Sequence, residues 1–348
     1  MTSVPNNKAS LKTRGIRVAK AEIGLISNNL SLITAPEYFE GSPHPSVIKG
    51  EGWLIHSQWA NFQVHTADYQ PPPNLDGYFY ILDYKNVEPT ISISEDKVVA
   101  IGNWSALEEN TADKRYTLLG NQGLLFRFIL TILERKHGIY NLHASALYNE
   151  ESDELLIALG ERGSGKSALM LSALDKGLFK LFATEILHVG MNSEGITFYK
   201  GTTRNNVRVG HLLYDFPGIA AKIGVKFAEL QDPWGTKVQV NLKYYEAKPD
   251  ILINPKVTLV IPRIEEYNEK CQYHFIKSKH TIKRILMENI CDKIGSLTLL
   301  YETIPVNLDD PILIKKRLAF IGKLVDKEII ERAVSIFASP RNCFEGWL

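Results

Sequence analysis

Residues 160–167 read Gly160-Glu161-Arg162-Gly163-Ser164-Gly165-Lys166-Ser167, which fits G-x-x-x-x-G-K-[ST] at every fixed position. Upstream, Leu155-Leu156-Ile157-Ala158-Leu159 is an apolar run of the buried-strand type, and downstream Ala168-Leu169-Met170-Leu171-Ser172-Ala173-Leu174 is rich in strong helix formers. The frame is therefore strand, loop, helix, the context that a phosphate-binding loop needs. Its glycines let consecutive backbone N–H groups converge on phosphate with no Cβ in the way. Gly160, Glu161, Arg162, Gly163, Ser164, Gly165, Lys166, Ser167 and Ala168 are thereby assigned to nucleotide binding. Lys166 would place a point charge between the β- and γ-phosphates, Ser167 would offer its hydroxyl to Mg²⁺, and the helix that follows would turn its positive end toward the anion.

Outward from the loop, strand-like and helical patterns alternate. Strands are expected at 143–147, 155–159, 178–183, 195–200, 237–242, 257–261 and 297–303, and helices at 118–135, 166–175, 281–294, 311–324 and 326–337. This rhythm predicts an α/β core over 113–348, a mixed sheet flanked by helices with helices closing the chain. Residues 16–112 instead carry short apolar runs broken by Pro, Gly and Asn, such as Tyr78-Phe79-Tyr80-Ile81-Leu82 and Val98-Val99-Ala100-Ile101, and predict a β-rich N-terminal domain. Pro71-Pro72-Pro73 reads as a stiff surface turn, residues 108–113 as the domain boundary, and residues 1–15, polar throughout, as a flexible tail.

Charge narrows the function classes. The 348 residues hold 40 Lys plus Arg against 39 Asp plus Glu, a net charge of +1, so no whole-molecule field recruits nucleic acid or an anionic membrane. The short basic run Lys315-Lys316-Arg317 reads as the wet face of a helix. Apolar runs fall short of a membrane span, and the N-terminus lacks the apolar core of a secretory signal. Cys271, Cys291 and Cys343 are far apart and lack metal-ligand spacing, so a reduced, cytoplasmic protein with inert thiols is expected. No H-E-x-x-H or G-x-S-x-G occurs, and Asp215-Phe216-Pro217-Gly218, though D-x-x-G in form, has no N-K-x-D partner and reads as a turn.

Three segments together resemble the catalytic domain of HPr kinase/phosphorylase and its relatives, which share a phosphoenolpyruvate-carboxykinase-like P-loop core. They are Leu142-His143-Ala144-Ser145-Ala146-Leu147, with its histidine seventeen residues ahead of the loop; 177–185, ending in Thr184-Glu185; and 200–208, ending in Arg204-Asn205-Asn206-Val207-Arg208. The resemblance spans about 140–294. It implies an ATP- and Mg²⁺-dependent kinase, with Glu185 holding the metal beside Ser167, His143 near the γ-phosphate as hydrogen-bond donor or proton acceptor, and Arg204, Arg208 and Arg263 stabilising transferred phosphate or gripping an acidic substrate. Two positions depart from the family pattern. Thr184 stands where the family has the first acid of a pair, and the later Pro- and Arg-rich segment is reduced to Ile261-Pro262-Arg263-Ile264-Glu265. The expected acceptor is a hydroxyl of a small molecule or peptide, the alternatives being a protein serine kinase of the HPr kinase type and a non-catalytic nucleotide-binding regulator. A homo-oligomer is the one protein assembly considered.

Overall fold

The computed structural model describes residues 8–34, 47–55, 63–65, 74–224, 231–295 and 297–347. The chain is mixed α/β and divides into two compact units, residues 1–138 with 293–309 and residues 139–292 with 310–348.

The first unit carries β1 (Lys8–Val18), β2 (Ala21–Ser27), α1 (Leu30–Thr34), β3 (Val47–Ile55), β4 (Gln63–His65), β5 (Gly77–Asp83), β6 (Thr90–Ile93), β7 (Lys97–Gly102), α2 (Trp104–Asn110) and α3 (Leu124–Ile132). Its seven strands form one mixed sheet in the order β4-β3-β1-β2-β5-β7-β6. Alternate residues bury on opposite faces, as the two-residue period requires. Tyr80, Leu82, Val99 and Ile101 join Leu11 and Ile26 in one cluster, while Phe79 meets the Phe128 ring of α3 edge-on at 5.9 Å.

Two expectations shift here. Residues 8–15, read as tail, are the first part of β1, which pairs with both β2 and β3; residues 1–7 and the Pro71-Pro72-Pro73 turn lie outside the described residues. The unit also runs past 112 to Gly138, because the apolar face of α3 is buried against this sheet.

The second unit contains β8 (Ile139–His143), β9 (Ser145–Asn149), β10 (Glu154–Ala158), α4 (Lys166–Asp175), β11 (Lys180–Ala183), β12 (Ile186–Asn192), β13 (Gly195–Tyr199), β14 (Arg204–Arg208), α5 (Pro217–Lys222), β15 (Lys237–Asn241), β16 (Ile251–Ile253), β17 (Lys256–Ile264), β18 (Gln272–Phe275) and α6 (Lys279–Cys291). The chain then returns to the first unit for the hairpin β19 (Thr298–Leu300) and β20 (Ile304–Val306). Tyr301 in its turn accepts the Leu118 N–H at 3.0 Å and donates to Glu108 at 2.6 Å. The second unit closes with α7 (Pro311–Asp326) and β21 (Ile330–Ala338).

Its central sheet runs β11-β9-β10-β17-β21-β18, with β10, β17 and β21 parallel and the flanking strands antiparallel. Leu155, Ile157 and Leu159 pack toward Leu286 and Ile290 of α6 and Phe320 and Leu324 of α7; Leu156 and Ala158 pack toward Leu169 and Met170 of α4. Each of the Leu, Ile, Phe and Met side chains among them stabilises the fold by about 1.5–3 kcal/mol. A second sheet, β16-β13-β12-β8, adds Leu142, Val189 and Phe198 to the α6/α7 core.

The expected helix at 326–337 is corrected to β21, the second parallel neighbour of β17, with Ala333, Val334, Ile336 and Ala338 buried. A local window holds no trace of that partner, more than 60 residues away in the chain. Arg317 is likewise corrected from a wet helix face to a fully buried side chain, its Nη1 at 3.7 Å from Cys291 Sγ.

Candidate phosphate-binding site

Strand register gathers the site at one edge of the central sheet. Ala158, the last residue of β10, pairs with Ser145 and with Val260, and Ala146 pairs with Ala183. The segments 159–167 and 184–185 therefore leave the sheet, residues 143–145 enter it, and residues 261–264 carry β17 past the end of β10, all at the edge formed by the C-terminal ends of its parallel strands, where open α/β sheets hold ligands.

The 160–167 loop bridges β10 and α4. Gly160, Gly163 and Gly165 have φ of +141°, +93° and +97°. Gly165 requires glycine twice over, since its φ is left-handed and a Cβ there would stand 2.5 Å from Ile264 Cβ. The loop is tied down on both sides: Ile264 N–H donates to Ser164 O at 3.2 Å, and Gly160 N–H donates to Asn289 Oδ1 of α6 at 3.2 Å. Lys166 caps it, with Nζ at 2.5 Å from Gly160 O and 3.2 Å from Glu161 O. Ser167 Oγ accepts from Asn205 Nδ2 at 3.4 Å, and Ser164 Oγ is buried with no hydrogen-bond partner among the described residues. Glu161 and Arg162 stand at the exposed tip, and Ala168 is buried in the first turn of α4.

Thr184 is 3% exposed and wholly occupied. Its Oγ1 lies 2.8 Å from Thr202 O, 3.0 Å from Thr202 Oγ1 and 2.6 Å from Arg204 O. It locks the 200–204 segment onto the end of β11, where Gly201 passes so close that a Cβ would meet Ile186 O at 1.9 Å. Glu185 follows, half-buried, its carbonyl accepting the Ala144 N–H at 3.1 Å. Asn205 thus donates to Ser167 and Thr184 donates to the Arg204 carbonyl, so Ser167 and Glu185 belong to one connected edge.

His143 ends β8, opposite Ile186 of β12. Its Nδ1 is 2.9 Å from Asp292 Oδ2, just beyond the last residue of α6. Among the arginines, Arg204 stands at this edge through its backbone. Arg208 does not: it is three residues along β14 from Asn205, about 10 Å at strand rise, and donates to Trp234 O. Arg263 is beside the loop in sequence, yet its Nε is committed to Glu265 at 2.7 Å and its guanidinium lies over the Phe337 ring. Burial supplies the reason in both cases, since Arg208 and Arg263 occupy the exposed phase of their strands.

Sequence reading did not single out Asn205, Asn289 or Asp292. The signal available was modest: in the expected helix Asn289 is a polar residue in phase with the apolar Ile285 and Leu286, and Asp292 follows it by three residues.

A cavity of about 380 Å³ lined by Lys277, Lys279, Ile282, Val325, Glu328, Ile330 and Glu331 lies at the opposite edge, where β21 and α6 begin, and takes no part in this chemistry. None of the three cysteines is in a disulfide; burial pushes the Cys343 thiol up to about 12 and raises Cys271, so neither of these two is an activated thiolate. Among the described residues no group of three or more His, Cys, Asp or Glu could hold a metal ion, and no helix is long and apolar enough to cross a membrane.

No family model matches the chain, and no curated protein matches it.

Proposed function

We propose that the chain is a Mg-ATP-dependent phosphotransferase, related in design to the HPr kinase-like P-loop enzymes, that passes a γ-phosphate to a hydroxyl of a small molecule or peptide. The observation that carries this reading is the 160–167 loop. Three left-handed glycines lie at the C-terminal end of a central parallel strand, Lys166 curls over the loop carbonyls, and a ten-residue helix follows immediately. The residues suit the nucleotide: the buried, unpartnered Ser164 Oγ lies in the loop itself, where a phosphate oxygen would satisfy it. Ser167 and Glu185 would hold Mg²⁺, a hydroxyl and a carboxylate that suit an ion keeping phosphate oxygens and water as its other ligands. The bound metal supplies charge neutralisation, and the chain supplies positioning, which is most of what phosphoryl transfer asks of a protein.

The test is incubation with Mg-ATP and a metabolite extract or peptide library, read by mass spectrometry for ATP-dependent gains of phosphate. Wild type should generate phosphorylated products that Lys166→Ala does not. Identical product lists for the two would remove the enzymatic reading.

The second reading, a nucleotide-binding regulator, is favoured by Thr184, whose hydroxyl is consumed by Thr202 and Arg204 at the position where the resemblance places an acid. Tight Mg-ATP binding with no transfer to any alcohol offered would select it.

A further inference from the structure

We propose that the proton of the acceptor hydroxyl is taken by His143, oriented by Asp292, and that this pair replaces the acid missing at position 184. The proposal rests on the phosphotransferase reading.

Thr184 cannot serve as the base, being buried and fully hydrogen-bonded. His143 is a titratable side chain at this edge held by a carboxylate, with Nδ1 2.9 Å from Asp292 Oδ2. An acceptor-only carboxylate selects the tautomer with the proton on Nδ1, which leaves the Nε2 lone pair as the base.

Helix α6 sets the placement. Asn289 holds the Gly160 N–H at the start of the loop, and Asp292, three residues on, holds His143. Residues three apart on a helix have Cβ atoms about 5–6 Å apart, so one helix end fixes the imidazole beside the loop. Strand register agrees, since Ser145 pairs with Ala158 and both His143 and Gly160 lie two residues beyond that pair at the same edge. His143 is 18% exposed and Asp292 46%, so the pair is open to a substrate.

In the transfer, the acceptor O–H bond breaks and its proton passes to Nε2. The freed oxygen forms a bond to the γ-phosphorus, and the bond from that phosphorus to the β–γ bridging oxygen breaks, releasing ADP. Asp292 keeps its negative charge throughout, as a positioning residue.

The experiment uses the full chain with ¹⁵N-labelled histidine, wild type against Asp292→Asn and Asp292→Glu, with His143→Asn to assign the signals. Long-range ¹H–¹⁵N spectra should give His143 as the Nδ1–H tautomer in wild type and a mixed or reversed tautomer in Asp292→Asn. In parallel, binding of a fluorescent ATP analogue and single-turnover consumption of Mg-ATP, with water as acceptor, are measured. Asp292→Asn should bind the analogue within twofold of wild type yet consume ATP about 10²-fold more slowly, with partial recovery in Asp292→Glu. Consumption by Asp292→Asn at the wild-type rate, or an Nε2–H tautomer in wild type, would overturn the proposal and leave the nucleotide reading standing. Absence of analogue binding by wild type would overturn both.

Discussion

At the scale of single residues, Gly165 and Thr184 do the most to shape the site. Gly165→Ala would combine a left-handed φ of +97° with a Cβ 2.5 Å from Ile264, so the loop must move away from β17. We expect a loss of more than about 1 kcal/mol in chemical denaturation and a parallel weakening of ATP binding. Gly163→Ala is the control, since nothing lies within 4 Å of its Cβ position and only the backbone strain at φ +93° remains. Thr184→Val keeps the volume and strips the hydroxyl from two half-buried carbonyl contacts, with an expected cost of about 1–3 kcal/mol read from the urea midpoint. The loop residues were legible in the sequence because their chemistry is local and their spacing rigid. The fates of Arg208 and Arg263 were not, because a strand residue's direction follows from register, and register depends on partners far along the chain.

Among the elements, the pairing of β8 with β12 carries a pH dependence. His188 is buried opposite Asn141, its Nδ1 2.7 Å from Asn141 Oδ1, and desolvation lowers its pKa from 6.5 to about 4. The folded state therefore binds this proton less readily than the unfolded chain. The stability concerned is fully present above pH 6.5 and is lost as the pH falls from 6.5 through about 4, by about 3 kcal/mol in all. Denaturant titrations at pH 7.5, 5.5 and 4.5 should show this decline in wild type, and His188→Gln, which does not titrate, should flatten it. An unchanged slope in that variant would assign the acid sensitivity elsewhere. Elements with a strong local signal were readable in advance: the run of helix formers in α4, the apolar stripe of α6 and the apolar run of β10. β21 was not: its Glu331 and Arg332 interrupt the apolar pattern, and Arg332 is held by pairing at 2.6 Å with Glu154 at the start of β10, with Thr258 and the Trp347 ring beside it. That cross-strand ion pair joins residues 178 positions apart.

For the whole molecule, the same limit governs the division into units. The first unit recruits residues 293–309 through Tyr301, which bonds Leu118 and Glu108 and lies 5.8 Å from the Trp104 ring. No composition shift in the sequence marks that return, so a single boundary near 112 was the simplest reading available. Global charge, at +1, leaves any phosphate affinity to a local device, and we propose the loop edge between β10 and α4 as that device. The most direct test of this central claim is calorimetric titration of the full chain with ATP in the presence of Mg²⁺, wild type beside Lys166→Ala. Saturable one-site binding by wild type, weakened at least about tenfold in the variant and reduced when Mg²⁺ is withheld, is the expected result. No binding by wild type, or equal binding by the two proteins, would contradict it.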